Sequence, residues 1–212
     1  MSAQSASMLE IVALDMGDDA QSWGRAGFTV EGDTVRVGTV AMRCGASGVG
    51  VVGWTVRGIP IGTVLDGLPT TVTDGALGTP AVHANGATII DHVVIATPDV
   101  DRTVASFVVA GCDPKRERKG GSESMPIRQV FVRAGEVILE IIGPPTVSDD
   151  PDVAARPATF WGLAFTTADL DACALLLADA LSPPKDAVQT GRRIATLRHK
   201  PLGITVPTVF MS

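Results

Sequence analysis

The stretch IDHVVIATPDVDRTVASFVVAG (90–111), followed by VFVRAGEVILEIIGP (130–144), decides the fold. Residues 89–96 form a short run rich in Ile and Val, as a strand requires. Beyond it Val100, Val104, Phe107 and Val108 recur at helical spacing, with Thr97 suited to the N-cap, Pro98 to the first helical position and Gly111 to the exit. Residues 130–144 then read as strand, turn, strand around Gly135. The unit is a strand, a helix and about three strands.

Laid on itself, the chain repeats this unit. Residues 15–28 align without gaps on 99–112, with Trp23 on Phe107 and Ala26-Gly27 on Ala110-Gly111. The segment GVVGWTVRGI (50–59) lies over GEVILEIIGP (135–144), with VAMRC (40–44) ahead of it. A third copy begins at TADLDACALLLAD (167–179), where Leu170, Cys173, Ala174 and Leu177 form the helical stripe, and ends in IATLRHKPLGITVPTVF (194–210). In the first copy Met16, Ala20 and Trp23 form the stripe more weakly. The preceding strands are expected at 9–14, 89–96 and 160–165. Three modules result, at about 8–60, 88–145 and 158–212, separated by Pro/Gly/Thr/Asp-rich linkers.

Composition narrows the classes. The 212 residues suffice for a real core, and 45% hydrophobic with 19% charged residues is ordinary globular usage. With 17 Lys+Arg against 23 Asp+Glu, no Tyr and 4% aromatics, nucleic-acid binding is disfavoured. The three cysteines, Cys44, Cys112 and Cys173, form no C-x-x-C pair and read as small buried hydrophobes. No apolar run approaches the roughly 18 residues of a membrane span, and the start carries no basic leader. The expectation is a soluble, cytoplasmic protein.

The second module resembles the vicinal oxygen chelate superfamily of glyoxalase, bleomycin-resistance and extradiol-dioxygenase-like proteins, with the third module as its partner half. The resemblance implies an α+β fold in which tandem βαβββ modules form curved mixed sheets around a cup. It gives a degenerate N-terminal βαβββ-like module at 1–62, a linker at 63–87 and a glyoxalase-like domain at 88–212 built from modules 88–145 and 158–212. It also implies a divalent metal (zinc, iron, manganese or nickel) bound by residues of the first and last strands of each module.

Strand alternation puts Ile90, His92, Val94 and Ala96 on one face and Asp91, Val93 and Ile95 on the other. Ile138, Glu140 and Ile142 likewise alternate with Val137, Leu139 and Ile141. With the helix over the second face of each, His92 and Glu140 point together into the cup. They are the candidate metal ligands and catalytic pair; a satisfied buried polar pair is the plain alternative. The third module offers only Gly162 and about Pro207 at the matching places, and the first only Met8 and about Thr55, so the metal site is half-built. Glu123, Gln129, Gln189 and His199 are the candidates for a third ligand.

Arg128 and Arg198 are candidate substrate clamps, from a set that also holds Arg133, Arg192 and Arg193. KRERKGG (115–121) reads as a short basic loop, a solvated turn or a flap over the cup. Three half-cups leave one module face unpaired, which suggests a homodimer. The functional expectation is a cup for a small, apolar or carbonyl-bearing molecule. The alternatives are a metal-dependent lyase, isomerase or dioxygenase acting on vicinal oxygens, and a non-catalytic structural or partner-binding dimer.

Overall fold

The computed structural model describes residues 9–212; Met8 lies outside them. The second module opens with β7 (Ala87–Ala96) and α2 (Val100–Val109), then β8 (Pro114–Gly121), β9 (Pro126–Ala134) and β10 (Val137–Gly143). After a one-turn helix, α3 (Pro151–Ala154), the third module runs β11 (Thr159–Thr167), α4 (Leu170–Leu177), β12 (Lys185–Asp186), β13 (Arg193–Thr196) and β14 (Thr208–Met211). In each module the first strand lies parallel to the last, β7 with β10 and β11 with β14. The two first strands pair antiparallel. One curved eight-stranded sheet results, in the order β12-β13-β14-β11-β7-β10-β9-β8.

The helices start later than the sequence suggests. The N-cap of α2 is Asp99, whose carboxylate accepts from Arg102 N, while Thr97 Oγ1 accepts from Asp99 N. A carboxylate at the helix start satisfies a free N–H and favours the dipole, so Asp99 outcompetes Thr97. Asp169 caps α4 in the same way. The segment KRERKGG forms most of strand β8 rather than a loop. It is an edge strand, bonded only to β9, and its charges hide the period-2 pattern while discouraging pairing with another sheet.

The N-terminal region builds a six-stranded sheet from β1 (Glu10–Met16), β2 (Val30–Glu31), β3 (Thr34–Val37), β4 (Val40–Cys44), β5 (Val51–Arg57) and β6 (Thr70–Val72), with α1 at Ala20–Arg25. Its order is β2-β3-β4-β1-β5-β6. Here β4 runs parallel to β1, whereas β5 is antiparallel to β1 and parallel to β6. The counterpart of β10 is therefore β4, and β5 takes the place that β11 takes beside β7. Alignment of 50–59 on 135–144 fails because both are apolar strands with identical flanking glycines. The pair β5 and β6 forms the core of a fourth, truncated module without helix or outer strands. Helix α1 is four residues shorter than α2 at its N-terminus, capped by Asp19, yet both exit through a left-handed glycine, Gly27 (φ 82) and Gly111 (φ 88).

Both sheets share one core. Trp54 of β5 is fully buried, edge-on to Phe107 of α2 and Phe160 of β11, with its Nε1 donating to Thr70 Oγ1 at 2.8 Å. On the other flank Trp23 and Phe28 pack on Phe165, and Phe28 stacks on Phe210. The apolar face of the N-terminal sheet, the surface an odd module would offer to a second copy, is buried against the back of the C-terminal sheet. No helix among the described residues is long and apolar enough to cross a membrane.

Candidate functional site

The free face of the eight-stranded sheet curves around a cavity of about 710 Å³, within the size range of small-molecule pockets. Its floor comes from the paired first strands and their parallel neighbours. His92 and Glu140 both line it. In the β7–β10 register Ile138 faces His92 and Glu140 faces Val94, so the two are one strand and two residues apart, about 8 Å between Cα atoms by strand geometry. Side chains at that spacing can flank a small molecule rather than bond each other.

Along β7 the pairing with β11 is irregular at Thr88 and at Asp91, and the second irregularity bears on the site. Ala164 pairs with His92 and Phe165 with Ile90, so the register skips Asp91. This bulge turns Ile90 into the core, where it is fully buried, and brings the Asp91 carboxylate against the His92 imidazole. Asp91 Oδ1 accepts from Thr166 Oγ1 at 2.9 Å and from Arg192 Nη2 at 2.8 Å. Oδ2 takes no well-aligned hydrogen bond and lies in ionic contact with His92 Nδ1. Burial alone would push this carboxyl up, but His92, Arg192 and Thr166 outweigh it and hold Asp91 well below the ordinary carboxylate range. With Nδ1 engaged, Nε2 of His92 has no partner among the described residues. Simple alternation assigned Asp91 to the opposite face, and no single-chain signal announces the bulge.

Glu140 Oε1 accepts from Gln129 Nε2, whose own Oε1 accepts from Arg118 Nε at 2.8 Å. Glu140 Oε2 has no partner among the described residues. The wall beside it is cationic: Lys115, Arg116, Arg118 and Arg133 line the cavity, with the Arg116 and Arg118 guanidiniums 5.3 and 5.9 Å from the Phe131 ring centre. The third module's side is mostly apolar or small, with Gly162, Ala164, Val209 and Met211 beside Gln189, Thr196 and His199.

The expected arginine clamps lie elsewhere. Arg128 faces away from the cup and binds Asp101 at 2.6 Å and Glu117 at 2.7 Å. It is one residue out of phase with Gln129, and strand alternation sends it outward. Arg198 is outside the cavity lining, donating to the Asp179 carbonyl at 2.6 Å. Of the candidate third ligands, Gln189 and His199 line the cavity, Gln129 holds Glu140, and Glu123 is exposed in the β8–β9 turn.

A metal that the superfamily resemblance implies finds a poor donor set here. Gly162 lies seven residues before the Asp169 cap, as His92 lies before Asp99. Through the β11–β14 register, the place of Glu140 falls on Val209 rather than Pro207. Thr55 lies on β5, outside the β4 position that matches β10. Neither glycine nor valine can coordinate. Among the described residues no group of three or more His, Cys, Asp or Glu is arranged to hold a metal ion. His92 is tied to Asp91, His199 has Nδ1 on the Ile204 carbonyl at 2.9 Å, and with Glu140 they form no three-ligand group, so the lining does not fit a resident first-row ion.

A family model described as the Glyoxalase/Bleomycin resistance protein/Dioxygenase superfamily matches residues 91–196, half of the chain. The chain belongs to that superfamily. No curated protein matches it. Among solved structures, a methylmalonyl-CoA epimerase from Mycobacterium tuberculosis is similar at 20% identity over 59% of this chain and 88% of its own, with a TM-score of 0.45. A Streptomyces coelicolor methylmalonyl-CoA epimerase in complex with 2-nitronate-propionyl-CoA is similar at 24% identity, over 59% of this chain and 96% of its own, with a TM-score of 0.42. A xylose isomerase-like TIM barrel/4-hydroxyphenylpyruvate dioxygenase fusion protein covers 99% of this chain and 49% of its own at 14% identity, with a TM-score of 0.62. That last likeness, spanning both sheets, is one of fold.

Proposed function

We propose that the chain is an isomerase- or lyase-type enzyme that moves a proton on a small carbonyl compound held in the cup. The observation that carries this reading is the Asp91–His92 pair on the same floor as Glu140, whose Oε2 has no partner among the described residues. Glu140 takes the proton from the carbon next to the carbonyl. The C–H electron pair becomes the new C=C bond, and the carbonyl oxygen gains the negative charge. His92 acts as the imidazolium, with Nδ1–H held by Asp91 and Nε2–H donating to that oxygen. Return of a proton to the same carbon exchanges its hydrogen with solvent, and return to the neighbour isomerises the compound. The chemistry balances without an oxidant.

A second reading, ligand sequestration without turnover, is favoured by the mostly apolar half around Gly162, Ala164, Val209 and Met211, which offers burial. One experiment separates them: carbonyl acids and acyl thioesters are incubated with the protein in D2O and followed by NMR. Deuterium enters the carbon next to the carbonyl if the enzyme reading holds, and Glu140→Gln or His92→Ala slows entry by about 100-fold or more. Saturable binding without exchange across the panel refutes it in favour of sequestration.

A further inference from the structure

Ten of the 17 Lys and Arg make no ion pair among the described residues, and four of those ten line the cup. Every ion-paired arginine, Arg102, Arg128 and Arg192 among them, lies outside the cavity lining. Lys115, Arg116, Arg118 and Arg133 line it and make no ion pair among the described residues. In a chain of formal charge −6, four unneutralised cations face one cavity whose nearest carboxylate is Glu140. Strand pairing builds the cluster: Arg116 lies opposite Phe131, Arg118 opposite Gln129, and Arg133 two residues from Phe131 on the same face. Both guanidiniums lie over the Phe131 ring, 5.3 and 5.9 Å from its centre, and apart from Arg118 Nε, which donates to Gln129, their N–H groups have no partner among the described residues.

We propose that this wall seats a phosphoryl group of the cup's ligand. Donors from two neighbouring strands line one wall, with Arg116 and Arg118 together over Phe131, which suits a tetrahedral oxyanion with several acceptor oxygens better than a flat carboxylate, which one guanidinium satisfies. Excess positive charge against the single Glu140 suits a dianion. A ligand anchored there extends along the floor from β9 towards β7, which carries its far end past Glu140 to His92. The proposal rests on the cup being a small-molecule site and not on proton transfer.

The test is calorimetric titration at low salt with pyrophosphate, inorganic phosphate and malonate as probes. Pyrophosphate is expected to bind once per chain and more tightly than malonate. Arg116→Gln and Arg118→Gln each weaken it about 10-fold or more. Arg128→Gln, on the outer face of the same hairpin, changes it less than about twofold, and thermal melts check that each variant is folded. His92→Ala, which stops proton transfer on the reading above, leaves pyrophosphate affinity in place, so the two ideas fail separately. Three results overturn the assignment: no saturation by pyrophosphate at about 1 mM, tighter binding of malonate, or an Arg128→Gln loss equal to that of Arg116→Gln, which marks general charge attraction.

Discussion

Replacing Asp91 by Asn keeps the shape of the bulge and removes its charge. The Asp91 side chain is 9% exposed and its Arg192 partner 22%, so water screens the pair only partly. A hydrogen bond to a charged group contributes about 1.5–3 kcal/mol, and Asn retains a carbonyl that still accepts from Arg192. The net loss is therefore about 2–3 kcal/mol, below the cost of breaking a fully buried pair. For a chain of this length that lowers Tm by about 4–12 °C.

The pH dependence supplies the sharper test. Asp91 is held below its unfolded value of about 3.9, so its contribution is complete above that pH and is lost as pH falls towards the folded value. Urea unfolding of both proteins at a series of pH values should show the wild-type advantage constant from pH 7 to 5. Below about pH 4 it should narrow by about 1.4 kcal/mol per unit. An advantage under about 0.5 kcal/mol at pH 7, or one that persists unchanged at pH 3, refutes the argument that Asp91 is held ionised by its neighbours.

Asp66 has a left-handed φ of 47 and binds Arg102 Nε at 2.7 Å, fastening the segment before β6 to α2; Asp66→Asn tolerates that φ, and its loss of about 2 kcal/mol in urea unfolding isolates the charge. Burial, with Asp18, Asp19 and Asp33 nearby, pushes the Cys44 thiol up to about 12, while burial pushes Cys173 up to about 11 and raises Cys112. All three thiols should resist a disulfide reagent at pH 8 in the native protein and react together on unfolding. Introducing Gly162→His with Val209→Glu gives the apolar half two donors. The double variant should retain about one zinc per chain after dialysis, against none for the parent, with a shift of Pro207 to clear the new Cβ, whose ideal position is 3.1 Å from the Pro207 carbonyl oxygen.

Much of the second and third modules was legible because their strands are apolar on a period of two and their helices carry a clean stripe ending at glycine, as at Phe107 and Gly111. The β8 strand was not, since Lys, Arg and Glu on both faces give no hydrophobic alternation. The N-terminal repeat was misaligned for a similar reason: β5 resembles β10 in composition, and only hydrogen bonding to β1 tells parallel from antiparallel. His92 and Glu140 were found from one-strand alternation, which held for β10 and for His92 itself. Alternation failed at Asp91 because a bulge depends on the partner strand β11, some seventy residues away.

By itself the sequence determined the repeated unit, the superfamily and the pair of polar side chains on the apolar strands. All of these are local patterns or spacings. Only the tertiary structure decided that the N-terminal sheet covers the back of the cup, that Asp91 braces His92, and that the cup's cations are Lys115, Arg116, Arg118 and Arg133 rather than Arg128 and Arg198. Each of those depends on which strand lies beside which and in what register. Register is set by contacts between distant segments, and a shift of one residue exchanges the two faces of a strand.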